Sequence, residues 1–369
     1  MPSTDAVGHP VSSKIASIQE LSSFPATENV MAAADIDLPS RAPYARHTLV
    51  GLNLVFVKMA QLFPALLGIP KQDPMLANKG EDSLITTERA MRDQASHTAT
   101  VAITDVVTHE GRVDATVVVT NHAGHKFPSG VGFRRAFVEF IMRDAGGRIL
   151  WSSGQTNQAG VLLDGNGNPL DGELWWRPDC SARINPDKRV HQPHYETIRQ
   201  RDQVQIYEDL AASTGGSDGA LCTKETPTGP LTTSFLSRCV KVKDNRILPS
   251  GFLSLQDRSR IAAALGADKD LAEESGAAAV GDDPDYRQGG GDTLHYVVAL
   301  DELSGRPASV EAALYYQATP PYYLQDRACT SDSQDTKRLM FMTTNLGNEA
   351  SAASVWKLKI ATSGPVAVR

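Results

Sequence analysis

What this sequence has little of narrows its reading before any motif is weighed. It holds four cysteines in 369 residues, Cys180, Cys222, Cys239 and Cys329. None forms a C-x-x-C pair, which excludes the usual zinc and redox motifs and a C-x-x-C-H attachment site. No haem is therefore expected to be bound covalently by this chain. Four cysteines permit three disulfide connectivities. Cys222–Cys239 would close the shortest loop and is the favoured pair, with free buried thiols as the alternative. Basic excess is missing too: 36 Lys and Arg stand against 43 Asp and Glu, a net charge of −7, which argues against a nucleic-acid surface. The longest apolar run, Leu49 to Leu67, is broken by Lys58, Gln61 and Pro64 and is a poor membrane span. Met1 to Pro10 lacks the basic and apolar regions of a signal peptide, so a leader is expected upstream or on a partner. G-x-S-x-G, P-loop, dinucleotide and H-E-x-x-H patterns are all lacking. The reading leans away from an enzyme, although catalytic groups that assemble in space leave no such trace.

What is present is an ordinary globular composition, 41% hydrophobic and 21% charged, enough for a sizeable core. Residues 1–40 have no sustained period and read as an extended, poorly self-supported segment. Residues 47–67 read as a helix, with Leu52, Phe56, Met59, Phe63 and Leu66 on one face, His47 at its entrance and Pro64 ending it. A second helix is predicted over Leu84 to Ser96 with Ser83 as N-cap. Strand-like runs follow over 98–108, 113–121, 135–143 and 148–153, Val113 to Val119 with period-two alternation, with turns at Glu110-Gly111 and Ala145-Gly146-Gly147. After a long polar excursion (155–200) and a mixed region, strands return at 293–300, 308–317 and 355–361. Val204–Leu210 reads as a short strand or helix, Leu255–Leu265 and Asp335–Leu346 as helices, and Pro320-Pro321-Tyr322-Tyr323 as a rigid packing corner. The fold class is mainly β (α+β): an antiparallel β-sandwich with an N-terminal helical segment and long inserted loops. The expected divisions are 1–46, 47–97 and 98–369, with the insertions at 155–290.

The stretch of most chemical interest is Thr120 to Gly130, which joins two strongly patterned strands and carries His122 and His125 among two Gly and one Pro. Gly and Pro fix an irregular turn. Such a turn either caps backbone groups with its histidines or holds an imidazole where a metal can reach it. Arg134 and Arg135 come next, as anion partners or as an exposed residue and an ordinary ion pair. Asp164, Asn166 and Asn168 place side-chain oxygens at alternate positions, as calcium loops do. They lack the Gly and Glu of an EF-hand, and an Asx-rich turn is the competing reading.

The run from Gly124 to Gly154, GHKFPSGVGFRRAFVEFIMRDAGGRILWSSG, resembles a stretch in the C-terminal part of bacterial multihaem c-type cytochromes. Four further pieces in the same order are similar to that module: Tyr44–Asn53, Asp202–Glu208, Lys243–Phe252 and Leu314–Leu324. The resemblance implies a haem-free module that lends distal His ligands to haem c bound elsewhere. It points to His125 and His47, with His194 in Pro193-His194-Tyr195 as a third, and to Arg134 and Arg135 as propionate partners. The segment from Met1 to Ser13 reads like the sequence after a last C-x-x-C-H, so the chain is expected to begin just past a haem site. The implied function is electron transfer, as the C-terminal module of, or a subunit pairing with, a periplasmic or extracellular multihaem cytochrome, in contact with redox partner proteins. The alternative is a haem-free β-sandwich that binds a protein partner or a glycan. A third option is an enzyme on the multihaem scaffold whose chemistry lies outside this chain.

Overall fold

The computed structural model describes residues 50–70, 82–214, 228–267, 269–347 and 355–368, with two short backbone stretches before them. The chain divides into units Met1–Val50 and Gly51–Arg369. In the first, β1 (Ser13–Lys14) pairs antiparallel with β2 (Ser40–Arg41). His47 lies outside the described residues.

The second unit opens with α1 (Leu54–Leu62). Asn53 caps it by accepting the Phe56 N–H at 3.2 Å, and it ends before Pro64. It is shorter than the periodicity suggests and buries Leu54, Val55, Met59 and Ala60, whereas Phe56 and Leu66 are exposed. The predicted stripe borrowed its phase from Leu52 and Leu66, which lie outside the helix and do not follow its period. α2 (Ser83–Ser96) is capped by Asp82, whose Oδ1 accepts the Leu84 N–H at 2.8 Å, not by Ser83.

The remaining strands form two sheets. One runs β3 (Ala99–His109), β4 (Arg112–Asn121), β11 (Gly291–Ala299), β7 (Thr197–Ile198); only the β7–β11 pair is parallel. The other runs β10 (Val240–Asp244), β8 (Ile206–Thr214), β5 (Arg135–Arg143), β12 (Ser309–Gln317), β13 (Leu358–Thr362). To it are added β6 (Ile149–Ser153) on β5, β9 (Thr228–Thr232) on β8 and β14 (Val366–Ala367) on β12. The fold is a mainly β, antiparallel sandwich. Val113, Ala115, Val117 and Val119 of β4 all point inward, as their alternation predicts, and meet Ala136, Val138, Phe140 and Met142 of β5 and Leu294, Tyr296 and Val298 of β11. Phe140 stacks on Tyr296 at 4.1 Å, bridging the two sheets; burying a ring of this size contributes about 1.5–3 kcal/mol. The β3–β4 turn uses Gly111 at φ +82°, a conformation glycine reaches without strain.

Among the described residues the helices α3 (Leu255–Ala264), α4 (Lys269–Glu274), α5 (Asp285–Gln288), α6 (Pro321–Thr330) and α7 (Gln334–Gly347) complete the unit. Residues 320–323 thus open a helix and are not only a corner. The excursion after β6 is not a solvated loop. Its Leu162 and Leu170 cover the outer face of the larger sheet with Phe137, Ile206 and Tyr315, and its Trp175 packs with Leu231 and Tyr322. These apolar residues follow no period, so nothing in their spacing marks them as a cover. A disulfide joins Cys180 of the excursion to Cys329 of α6 across 149 residues, a link that fits an oxidising compartment. Cys239 is also disulfide-bonded. The favoured Cys222–Cys239 pairing involves Cys222, outside the described residues.

Candidate functional site

The turn after β4 is fastened on both sides of His125. Asn121, 3% exposed, donates from Nδ2 to the His125 carbonyl at 2.9 Å and to the Ile247 carbonyl at 3.0 Å, and its Oδ1 accepts the Ala123 N–H at 2.9 Å. Phe127 and Ile247 exchange both backbone hydrogen bonds at 2.9 and 2.8 Å, and the Phe127 ring is buried in the core. Lys126 reaches the Asp244 carboxylate and the Gly276 carbonyl, each at 2.7 Å. Burial lowers the Lys126 ammonium despite the opposing charge of Asp244. Burial alone would raise the Asp244 carboxyl; the hydrogen bonds and charges of Arg246 and Lys126 outweigh it and hold the group below the usual carboxylate range.

Between these anchors His125 is exposed. Its Nδ1 lies 3.0 Å from the Lys126 carbonyl oxygen. A carbonyl only accepts, so Nδ1 carries the hydrogen, and in the neutral ring Nε2 keeps its lone pair. Nε2 has no hydrogen-bond partner among the described residues. A Cβ placed on Gly124 would meet nothing within 4 Å, so the turn is also open beside the imidazole. His122, also exposed, differs: its Nε2 lies 3.1 Å from the Thr100 hydroxyl.

His194 has the opposite surroundings. Its side chain is 3% exposed, and it is not presented to any outside group. Gln205 Nε2 lies 2.8 Å from its Nδ1 and Asn245 Nδ2 lies 3.3 Å away. The amide orientations are set by their other bonds: Gln205 Oε1 accepts the Tyr195 N–H and Asn245 Oδ1 the Glu208 N–H. Both amides therefore donate to Nδ1, and the His194 proton is on Nε2, donated to Asp283 Oδ2 at 2.8 Å. Asp283 Oδ1 accepts the Asp285 N–H. Asp292, 1% exposed, accepts at Oδ2 from Gln205 at 3.0 Å and from the Tyr207 hydroxyl at 2.8 Å, while its Oδ1 is buried without a partner. Burial pushes the Asp292 carboxyl up to about 6 against the pull of His194 and these bonds. Burial also favours the acid form of Asp283, but the bond from His194 and the Asp285 N–H outweigh it and lower that group.

One segment supports both histidines. In residues 243–247, Lys243 is buried against Glu208 at 3.0 Å, Asp244 anchors Lys126, Asn245 reaches His194, and Ile247 pairs with Phe127. This is part of the Lys243–Phe252 piece singled out in the sequence. Asp292 carries a signal that sequence reasoning missed: it stands in phase with Leu294, Tyr296 and Val298 on the buried face of β11, so a carboxylate occupies a core position. Asp283, from a loop, carries no such mark.

The other candidate residues fall elsewhere. Arg135, 1% exposed, is bound through both terminal nitrogens to Glu173 and through Nε to Gln317 at 2.7 Å, so its donors are taken up inside the protein. Its neighbour Arg134 stays half-buried under the turn, where a Cβ on Gly130 would come 2.6 Å from its guanidinium. Asp164 accepts the Asn166 and Asn168 N–H groups at 2.8 Å each and the Asn168 side-chain amide at 3.3 Å. That is the Asx turn, with the carboxylate engaged inside it. The structure brings His125 and Arg134 to one end of the sandwich's central strands, and the buried His194 cluster lies at the same end, since Asp292 pairs with Val119 and Asn245 and Ile247 share one segment.

Comparison with known proteins adds little. No family model matches the chain, and no curated protein matches it. Among solved structures, a penta-heme cytochrome c552 from Thermochromatium tepidum is similar at 12% identity and a TM-score of 0.33, over 74% of this chain. The match spans 41% of that protein's length.

Proposed function

We propose that this chain is an electron-transfer component: a haem-free β-sandwich module of, or subunit pairing with, a periplasmic or extracellular multihaem cytochrome c, in which His125 is a distal ligand to a haem bound elsewhere. The observation that carries this reading is the Nδ1–H of His125 donated to the Lys126 carbonyl. Metal-bound histidines commonly donate the second ring N–H to a carbonyl or carboxylate, which fixes the tautomer and raises the basicity of the ligating nitrogen. His125 has that arrangement already, on an exposed turn with both flanks fastened, so little ordering entropy remains to be lost on ligation. The residues therefore fit an axial-ligand role, and Arg134 beneath the turn, rather than the fully engaged Arg135, is the cation for a propionate. The bound haem would supply a one-electron iron couple; the chain itself holds the imidazole, sets its tautomer and excludes water from the core behind it. The cytochrome-like motifs at 124–154 and 243–252 support the reading, since they supply the turn and the segment that fastens it. The disulfide and the lack, among the described residues, of a helix able to cross a membrane are compatible with it.

The test is a His125→Ala variant in the complete assembly with its haem-bearing part. One six-coordinate low-spin haem is expected to become high-spin, with the sandwich still folded by circular dichroism. An unchanged absorption spectrum contradicts the assignment.

A further inference from the structure

We infer that His194, Asp283 and Asp292 form an internal binding site for one divalent first-row transition-metal ion, separate from the His125 turn. The three offer one imidazole nitrogen and two carboxylate oxygens, and these ligand atoms lie within 4.8 Å of one another. Nitrogen and oxygen ligands at about 2.0–2.2 Å on one tetrahedral ion sit about 3.3–3.6 Å apart, so side-chain shifts of about an ångström close the site. Two facts point to an ion. Asp292 is 1% exposed and lies against Asp283, and its Oδ1 receives no N–H or O–H donor apart from that neighbouring carboxyl. Unpaired buried carboxylate oxygens are costly, and a cation removes that cost. Among the described residues no Lys or Arg makes an ion pair with either carboxylate; the sole salt-bridge partner is His194. Two carboxylates with no Lys or Arg against them match the charge of a 2+ ion.

The donor set selects the class. Imidazole favours Zn2+, Fe2+ or Ni2+ over Ca2+ and Mg2+, while the two carboxylates admit Zn2+ and Mn2+. Nε2 of His194 faces Asp283, so the ion takes the place of the Nε2 proton. In the neutral ring that proton then belongs on Nδ1, where the Gln205 and Asn245 amides now donate. At least one of them must turn its oxygen toward the ring to accept it. Gln205 is the candidate; turning it gives up its bonds to the Tyr195 N–H and to Asp292 Oδ2, the second of which the ion replaces. Ligation therefore leaves a distinct signature: the His194 tautomer reverses.

The experiment is calorimetric titration of the chelator-treated full chain with Zn2+, repeated for Asp292→Asn, Asp283→Asn and His109→Ala. One Zn2+ per chain is expected for the unaltered protein, with a raised melting temperature and loss of the His194 Nε2–H resonance. Each Asn variant should weaken binding by about 100-fold or more, whereas His109→Ala, at an exposed histidine, should not. Asp292→Asn also removes the unpartnered charge, so its metal-free form should be folded and no less stable, which separates lost binding from lost structure. Absence of stoichiometric Zn2+ binding to the unaltered chain, or equal binding by Asp292→Asn, overturns the inference. If only the Asp283→Asn variant misfolds, the Asp292→Asn result and the tautomer reversal still decide it.

Discussion

His125 and His194 both sit in loops that contain proline, three residues or fewer from a second histidine, and their sequence settings look alike. Their surroundings are opposite. His125 faces solvent with Nδ1 on a backbone carbonyl; His194 is enclosed, with Nδ1 receiving two amide donors and Nε2 donating to a carboxylate. The difference lies in the partners. A carbonyl can only accept and an amide nitrogen can only donate, so each environment dictates which ring nitrogen is bare. One imidazole is left with an outward lone pair, and the other is tied into a buried acidic pair. Spacing does not separate the two roles, but hydrogen-bond partners do.

The comparison breaks most completely at the segment the two regions share. Asn245 is wholly buried and bonds the Glu208 N–H, the Ile206 carbonyl and His194. Asn245→Ala leaves the Glu208 N–H unpaired and takes one of two donors from the Ile206 carbonyl and from His194, and is expected to cost about 2–4 kcal/mol in denaturant unfolding. It should loosen both histidines, because Ile247 two residues on fastens the His125 turn. Asn121→Ala separates them. It deprives the His125 and Ile247 carbonyls of a donor and should cost about 1–3 kcal/mol. Signals of the His125 ring should broaden while those of His194 keep their positions; equal broadening of both contradicts the division.

Acid provides a milder separation. The folded-state carboxyl of Asp244 is held below the usual range, so its contribution is fully present above the unfolded carboxyl value of about 3.9 and fades as pH falls through the folded value. The turn, which hangs on Asp244 through Lys126, should therefore lose protection from hydrogen exchange below about pH 4 in the native protein. In Asp244→Asn that acid-dependent limb should be absent. The smallest effect belongs to His109, whose Nε2 pairs with Asp114 at 3.2 Å on the surface. His109→Ala should change stability by no more than about 0.5 kcal/mol and disturb neither region.

Much of the scaffold was legible. The alternation of Val113 to Val119 gives β4, because a strand with one buried face must alternate, and the continuous apolar run Arg135–Arg143 gives β5, which is buried on both faces. The turn between them was legible as a place where chemistry could sit. What holds it was not: Asn121 to Ile247 spans 126 residues, and no local pattern encodes that contact. The adjacent Arg134 and Arg135 look equivalent in sequence, yet only the second meets Glu173, which arrives from an excursion with no period. The His194 cluster was half hidden for the same reason. Asp292 betrays itself by standing in core phase on β11, while Asp283 and Gln205 join it only through the fold.

The most direct measurement is the tautomeric state of both imidazoles, by nitrogen-15 NMR of the metal-free chain at a pH where they are neutral. The hydrogen-bond geometry predicts His125 protonated on Nδ1 with Nε2 bare, and His194 protonated on Nε2 with Nδ1 bare. A proton on Nε2 of His125 would contradict the account, since the nitrogen assigned to face a metal would then be a donor.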